Sequence, residues 1–269
     1  MTIQIDDQFV DIDFDKQPEF TAGDLGDTPF DRVFGQNYED VLGVMNEREL
    51  REAAERQAEY GGLEELITRI FDQMREGSCV LNASGAGCQA VQAKTYGKDN
   101  VIDLSAISAY KQAARSAQSG TTISKGFEVV KNIGFLPLDT PKNREAFGNA
   151  VMPNTGWNER YPADWKNTAK HFQLLEANVI RTMPGLLTSL AREQPVIVGR
   201  DGHSICYLTL IWDGRKWKVL YVNSWGQWGF AAGDFAYGFG ADSASKIQAS
   251  SRWAYSIRAV RARQGGLAA

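Results

Sequence analysis

The sequence predicts an α+β fold. Helical patterns come first along the chain, β-branched and aromatic runs separated by turns come last, and 43% of the 269 residues are hydrophobic. That length and apolar content can bury a full core in one large domain, or in a domain with an extension. Helices followed by strands are the order expected when helices segregate from an antiparallel sheet.

Residues 1–45 read as an acidic arm. Positions 1–40 carry eleven Asp/Glu against only Lys16 and Arg32, and Val10, Ile12 and Phe14 alternate with Asp11, Asp13 and Asp15 in strand periodicity. Residues 46–75 read as a helical extension packed on the main domain. Asn46 opens it, with Glu47 and Glu49 in the first turn where the helix dipole favours anions, and Gly61-Gly62 interrupts it. After the break, Leu63, Leu66, Ile67, Ile70, Phe71 and Met74 recur at helical spacing. Residues 76–269 read as the main domain. GSCVLNASGAGC is loop-like, and QAVQAKTYG is a helix ended by Gly97. SAYKQAARSAQSG and SKGFEVVKNIG are helices closed by Gly120 and Gly134, and MPGLLTSLARE is a further helix. PVIVG, SICYLTLIW and KWKVLYVNSW read as strands, with Asp213-Gly214 as the hairpin signal between the last two.

A net charge of -4 gives no global argument for nucleic acid. No apolar run reaches the ~18 residues of a membrane span, and the acidic start lacks the order of a secretory signal. Three cysteines, Cys79, Cys88 and Cys206, argue against a disulfide scaffold and for a reducing compartment, cytoplasmic or within a virion. No cofactor or metal is expected. The acidic arm and the basic tail, with Arg258, Arg261 and Arg263, read either as solvated ends or as docking segments for assembly partners.

Cys88 follows Gly85 and Gly87 and precedes a helical pattern. At a helix start the dipole favours thiolate, and small neighbours let a substrate backbone approach. The alternative is a small buried residue under a tight turn. Cys79 is a weaker nucleophile candidate, and Cys206 reads as a core thiol on the strand face shared by Ser204, Leu208 and Leu210. Of the two histidines, His171 reads as structural. His203 opens a strand whose hairpin partner ends at Asn223, twenty residues on, which brings imidazole and amide to one sheet end. The amide oxygen can fix the ring while the other nitrogen takes a thiol proton.

These residues resemble a papain-like cysteine peptidase over about 75–262. The order Cys, His, Asn is that family's order. Asn223-Ser224-Trp225-Gly226 with Trp228-Gly229 resembles its Asn-Ser-Trp-Gly signature, one residue shorter. Gly202-His203-Ser204 resembles its histidine strand, and Gly87-Cys88-Gln89-Ala90 its nucleophile segment, with Gln89 in place of tryptophan. The resemblance implies a helical half and an antiparallel sheet half with the site in the groove between them. It also implies a polypeptide substrate, Cys88 as nucleophile, His203 as base, Asn223 as its orienter, and Asn82 as oxyanion donor. Gly87, Gln89 and Trp225 would lie against substrate, with Trp225 shielding the His–Asn bond. Two further readings stay open: an inactive papain-like fold serving as an assembly component, as in a virus particle, and a cell-wall amidase.

Overall fold

A computed structural model of the chain describes residues 35–200, 202–250 and 254–262. Most of the expected acidic arm, and the end of the basic tail, lie outside the described residues. The amino-terminal elements are α1 (Tyr38–Leu42), α2 (Glu47–Tyr60), a 3-10 turn (Leu63–Leu66) and α3 (Cys79–Tyr96). Next come β1 (Leu104–Ser105), α4 (Ala106–Ala113), α5 (Ile123–Asn132), β2 (Leu136–Pro137), α6 (Pro141–Phe147) and α7 (Trp165–Ala169). The sheet half holds β3 (Leu174–Ile180), α8 (Met183–Ala191), β4 (Val196–Arg200), β5 (His203–Trp212) and β6 (Trp217–Val222). It ends with β7 (Phe230–Ala232), β8 (Phe235–Ser243), α9 (Ala244–Ser250) and β9 (Ala254–Val260). The architecture is α+β, as expected.

The main sheet has seven strands in the order β3-β9-β4-β5-β6-β8-β7, with every neighbouring pair antiparallel. The β5–β6 hairpin pairs Trp212 with Trp217 across the Asp213-Gly214 turn. A bulge between Tyr207 and Thr209 breaks the alternation of β5. Cys206 and Leu208 therefore join the cluster with α3, while Leu210 turns to the other cluster with Ile205 and Tyr207. The sequence pattern, which put Leu210 on the Cys206 face, could not see the bulge.

One sheet face packs on α3 and the other on α2, α8 and α9. Helix α2 starts at a capping box, with the Glu49 main-chain N–H donating to Asn46 Oδ1 and the Asn46 N–H to Glu49 Oε2. It buries Leu50, Ala53 and Ala54. Buried Gln57 donates to Leu190 O and accepts from Leu210 N, tying α2 to α8 and β5.

Three helix expectations change. The apolar stripe from Leu63 is helical only as the short 3-10 turn, and beyond it the chain is irregular. Leu63, Ile67 and Phe71 still reach the core, while Met74 is exposed. Helix α4 ends at Ala113 rather than near Gly120. Helix α3 begins at Cys79, nine residues before Cys88, so GSCVLNASGAGC is helix and not loop. Each helical glycine costs roughly 0.5–1 kcal/mol relative to alanine. Here the small residues repay that by packing: every residue from Cys79 to Ala93 is buried. A Cβ on Gly87 would lie 2.8 Å from Ile257 Cδ1 and 3.2 Å from Ile197 Cδ1, so the absence of a side chain sets how closely α3 approaches the sheet.

Candidate active site

His203 opens β5, and Asn223 directly follows β6. Their hairpin brings His203 Nε2 to 2.7 Å from Asn223 Oδ1. The Ser224 main-chain N–H donates to the same Asn223 atom at 2.7 Å. A backbone amide can only donate, so that atom is the carboxamide oxygen, and His203 Nε2 must carry the hydrogen it shares. In the neutral ring, Nδ1 is then unprotonated and can accept a proton.

Trp225 stacks on the imidazole, with centroids 4.4 Å apart and 25° between planes. His203, Asn223 and Trp225 are all buried. Burial pushes His203 down to about 4, Arg200 nearby pushes the same way, and the Asn223 bond opposes both. The ring is therefore neutral at neutral pH, with Nδ1 free of a proton.

The segment before α3 joins this corner. Asp72 bridges Trp225, and Gly226 N donates to Phe71 O. Gln73 N donates to Ser224 O at 2.9 Å, and Ser224 Oγ donates to Gln73 Oε1 at 2.6 Å. Gln73 Nε2 gives one hydrogen to Glu76 O and has a second. Six residues after Gln73, Cys79 is the first residue of α3, behind Ser78 at the N-cap. Asn82, Ala83 and Ala86 of α3 face Ser204, Asn223 and Ser224 at the sheet end across a cavity of about 10 Å³.

The residues singled out from the sequence separate into two groups. His203, Asn223 and Trp225 come together. Cys88 instead lies in the third turn of α3, beside Cys206 and away from the helix start, and burial pushes its thiol up to about 12. A helix-end dipole does not act there. Asn82 is at the right end of the helix, but its Nδ2 donates to both Ser78 O and Ser78 Oγ, so its hydrogens are spent. Gln89 is fully buried and donates to Asp103 Oδ1, and Gly87 faces the sheet. Neither lies against a groove. His171 sits in the turn between α7 and β3. The sequence reading passed over Gln73. The signal was the stretch Gln73 to Cys79 with Gly77-Ser78 before the thiol, which keeps the spacing used for Asn82 and Cys88 but ends at the true helix start.

Xylellain, a cysteine protease from Xylella fastidiosa, matches over 91% of this chain and 98% of its own, with TM-score 0.61 and 15% identity. The fold is papain-like. Procathepsin L 3 from the larval midgut of Tenebrio molitor matches over 71% of this chain, with TM-score 0.55 and 13% identity. Procathepsin L2 proteinase from the same tissue matches over 72%, with TM-score 0.54 and 15% identity. This papain-like chain covers 66% and 65% of those two procathepsin chains, about two thirds of their length. No protein-family model matches the sequence, and no curated protein matches it. Among the described residues of the papain-like chain, no cluster of His, Cys, Asp and Glu could hold a metal ion, and no helix is long and apolar enough to cross a membrane.

Proposed function

We propose that this protein is a thiol peptidase acting on polypeptides, with Cys79 rather than Cys88 as its nucleophile. His203 Nδ1 takes the Cys79 thiol proton as sulfur bonds to the scissile carbonyl carbon. The oxyanion accepts from the Cys79 main-chain N–H and the second hydrogen of Gln73 Nε2. His203 then returns the proton to the leaving amine as the C–N bond breaks, leaving a thioester. A water deprotonated by the same nitrogen adds to the thioester, the C–S bond breaks, and acid and thiol are released. Asn223 holds the ring in the tautomer this sequence needs, and Cys79 stands at the start of α3.

The observation that carries this reading is the pair of bonds between Gln73 and Ser224. They anchor the segment leading into Cys79 to the residue beside Asn223, so the start of α3 is tied to the His203–Asn223 corner. The assembly-component and amidase readings have no observation of comparable weight. The deciding experiment is hydrolysis of a fluorogenic peptide library by the full chain and by its Cys79→Ala and Cys88→Ala variants. Turnover lost only in Cys79→Ala supports the proposal. Turnover retained in Cys79→Ala, or absent from the full chain, refutes it.

A further inference from the structure

We propose that Arg200 is a positioning residue for His203, acting through a relay of three aromatic rings; this rests on reading His203 as the base. Arg200 ends β4 directly opposite His203 in the strand register. Its guanidinium is a two-pronged clamp. Nη1 donates to Asp242 Oδ2, and Nη2 donates to the Tyr221 hydroxyl at 3.2 Å, with the Tyr221 ring centroid 5.0 Å from the guanidinium carbon. Tyr221 stacks on Trp228 at 6.2 Å, Trp228 meets Trp225 edge-on at 5.3 Å, and Trp225 stacks on His203 at 4.4 Å. Each ring touches the next, so the pose of Tyr221 is passed to the face of the imidazole.

Two features argue that the clamp serves geometry rather than stability. The Arg200 and Asp242 side chains are only 8% and 1% exposed. Buried ion pairs are costly, and apolar replacements are often neutral or stabilising, so stability alone is a weak reason for this pair. The neighbouring strand also leaves room for the clamp: a Cβ on Gly240 would lie 2.3 Å from Tyr221 Cζ. The ring crosses β8 where no side chain stands, within reach of Arg200. Lysine could keep the ion pair with Asp242, but as a point charge it cannot hold both partners in a fixed fork.

The chain has only two histidines, so its imidazoles can be followed individually in full-length protein labelled with ¹⁵N-histidine, with His171→Gln supplying the assignment. The His203 Nε2–H, buried and bonded to Asn223, should exchange slowly with solvent. Arg200→Lys and Tyr221→Phe should each raise that exchange rate about tenfold, leave the His171 signals and the far-UV circular dichroism unchanged, and lower kcat about tenfold at constant KM. Exchange indistinguishable from wild type in the folded variants overturns the proposal. If Arg200→Lys does not fold, Tyr221→Phe alone decides. The exchange measurement needs no turnover, so a chain that hydrolyses nothing would refute the peptidase reading and still leave the role of Arg200 open to judgement.

Discussion

His203 donates its Nε2 hydrogen to Asn223 across 2.7 Å, onto an oxygen that also receives the Ser224 amide. The double acceptance pins the carboxamide, and the carboxamide pins the ring. Asn223→Ala should therefore lower kcat by about 10²-fold with little change in KM, the effect of letting a base rotate away from its line of attack. Steady-state kinetics on one peptide substrate check this. An unchanged kcat would mean that Trp225 alone orients the imidazole.

The two thiols of α3 should behave as different chemical species. Both are buried, but Cys79 stands at the helix start, whereas Cys88 lies in the third turn, where burial pushes its thiol up to about 12. Iodoacetamide at neutral pH followed by peptide mass spectrometry should find the label on Cys79 and none on Cys88 or Cys206. Cys88→Ala should keep full turnover and lose roughly 1–2 kcal/mol of stability, as expected for a small void in a packed core. Preferential labelling of Cys88 would reverse the assignment.

Gln73 and Asn82 make opposite forecasts. Gln73→Ala should cost about 10²–10³ in kcat if its amide meets the oxyanion. Asn82→Ala removes bonds to Ser78 and Asn154, so its effect should fall on thermal stability and not on kcat. The two variants measured side by side separate the roles. A large kcat loss in Asn82→Ala alone would return the oxyanion role to that residue.

His203 also predicts how stability follows pH. Burial lowers it from 6.5 to about 4, so between those values the unfolded chain binds a proton that the folded chain does not. Stability then rises with pH through that window and is lost as pH falls from 6.5 toward 4, by about 3 kcal/mol over its full depth. Urea midpoints measured from pH 4.5 to pH 7 should show this slope, and His203→Gln should flatten it. Equal slopes in the two proteins would mean the ring is charged within the fold.

The parts of the site legible in the sequence were those joined by a short path. The twenty residues from His203 to Asn223 hold one hairpin, whose turn residues and strand lengths set the meeting point. A thiol at a helix start was harder to place because it depends on where α3 starts. Ser84, Gly85 and Gly87 have poor helix propensity, and only burial, of Gly87 against β4, β5 and β9 and of Gly85 beside Phe71, makes them helical. Once the start moves to Cys79, the six-residue interval falls on Gln73. The stripe from Leu63 to Phe71 shows a related limit: its spacing marked core residues correctly, but that spacing suits an irregular segment pressed on a core as well as a helix. Strands β3 and β9 pair with partners far along the chain, so no local turn signal exposed them as one exposed the β5–β6 hairpin.

The placement of α2 bears on how such a molecule could be controlled. Segments that silence a peptidase until cut away must lie across its mouth and be dispensable to its architecture. Here Gln57 binds the backbones of both Leu190 and Leu210, and Tyr38, with no exposed surface, donates to Gln194 on the sheet side. Stripping this layer would bare the outer sheet face instead of opening the groove. Any maturation by excision therefore has to stop short of Gln36, whose carbonyl already accepts from Val179 at the sheet edge.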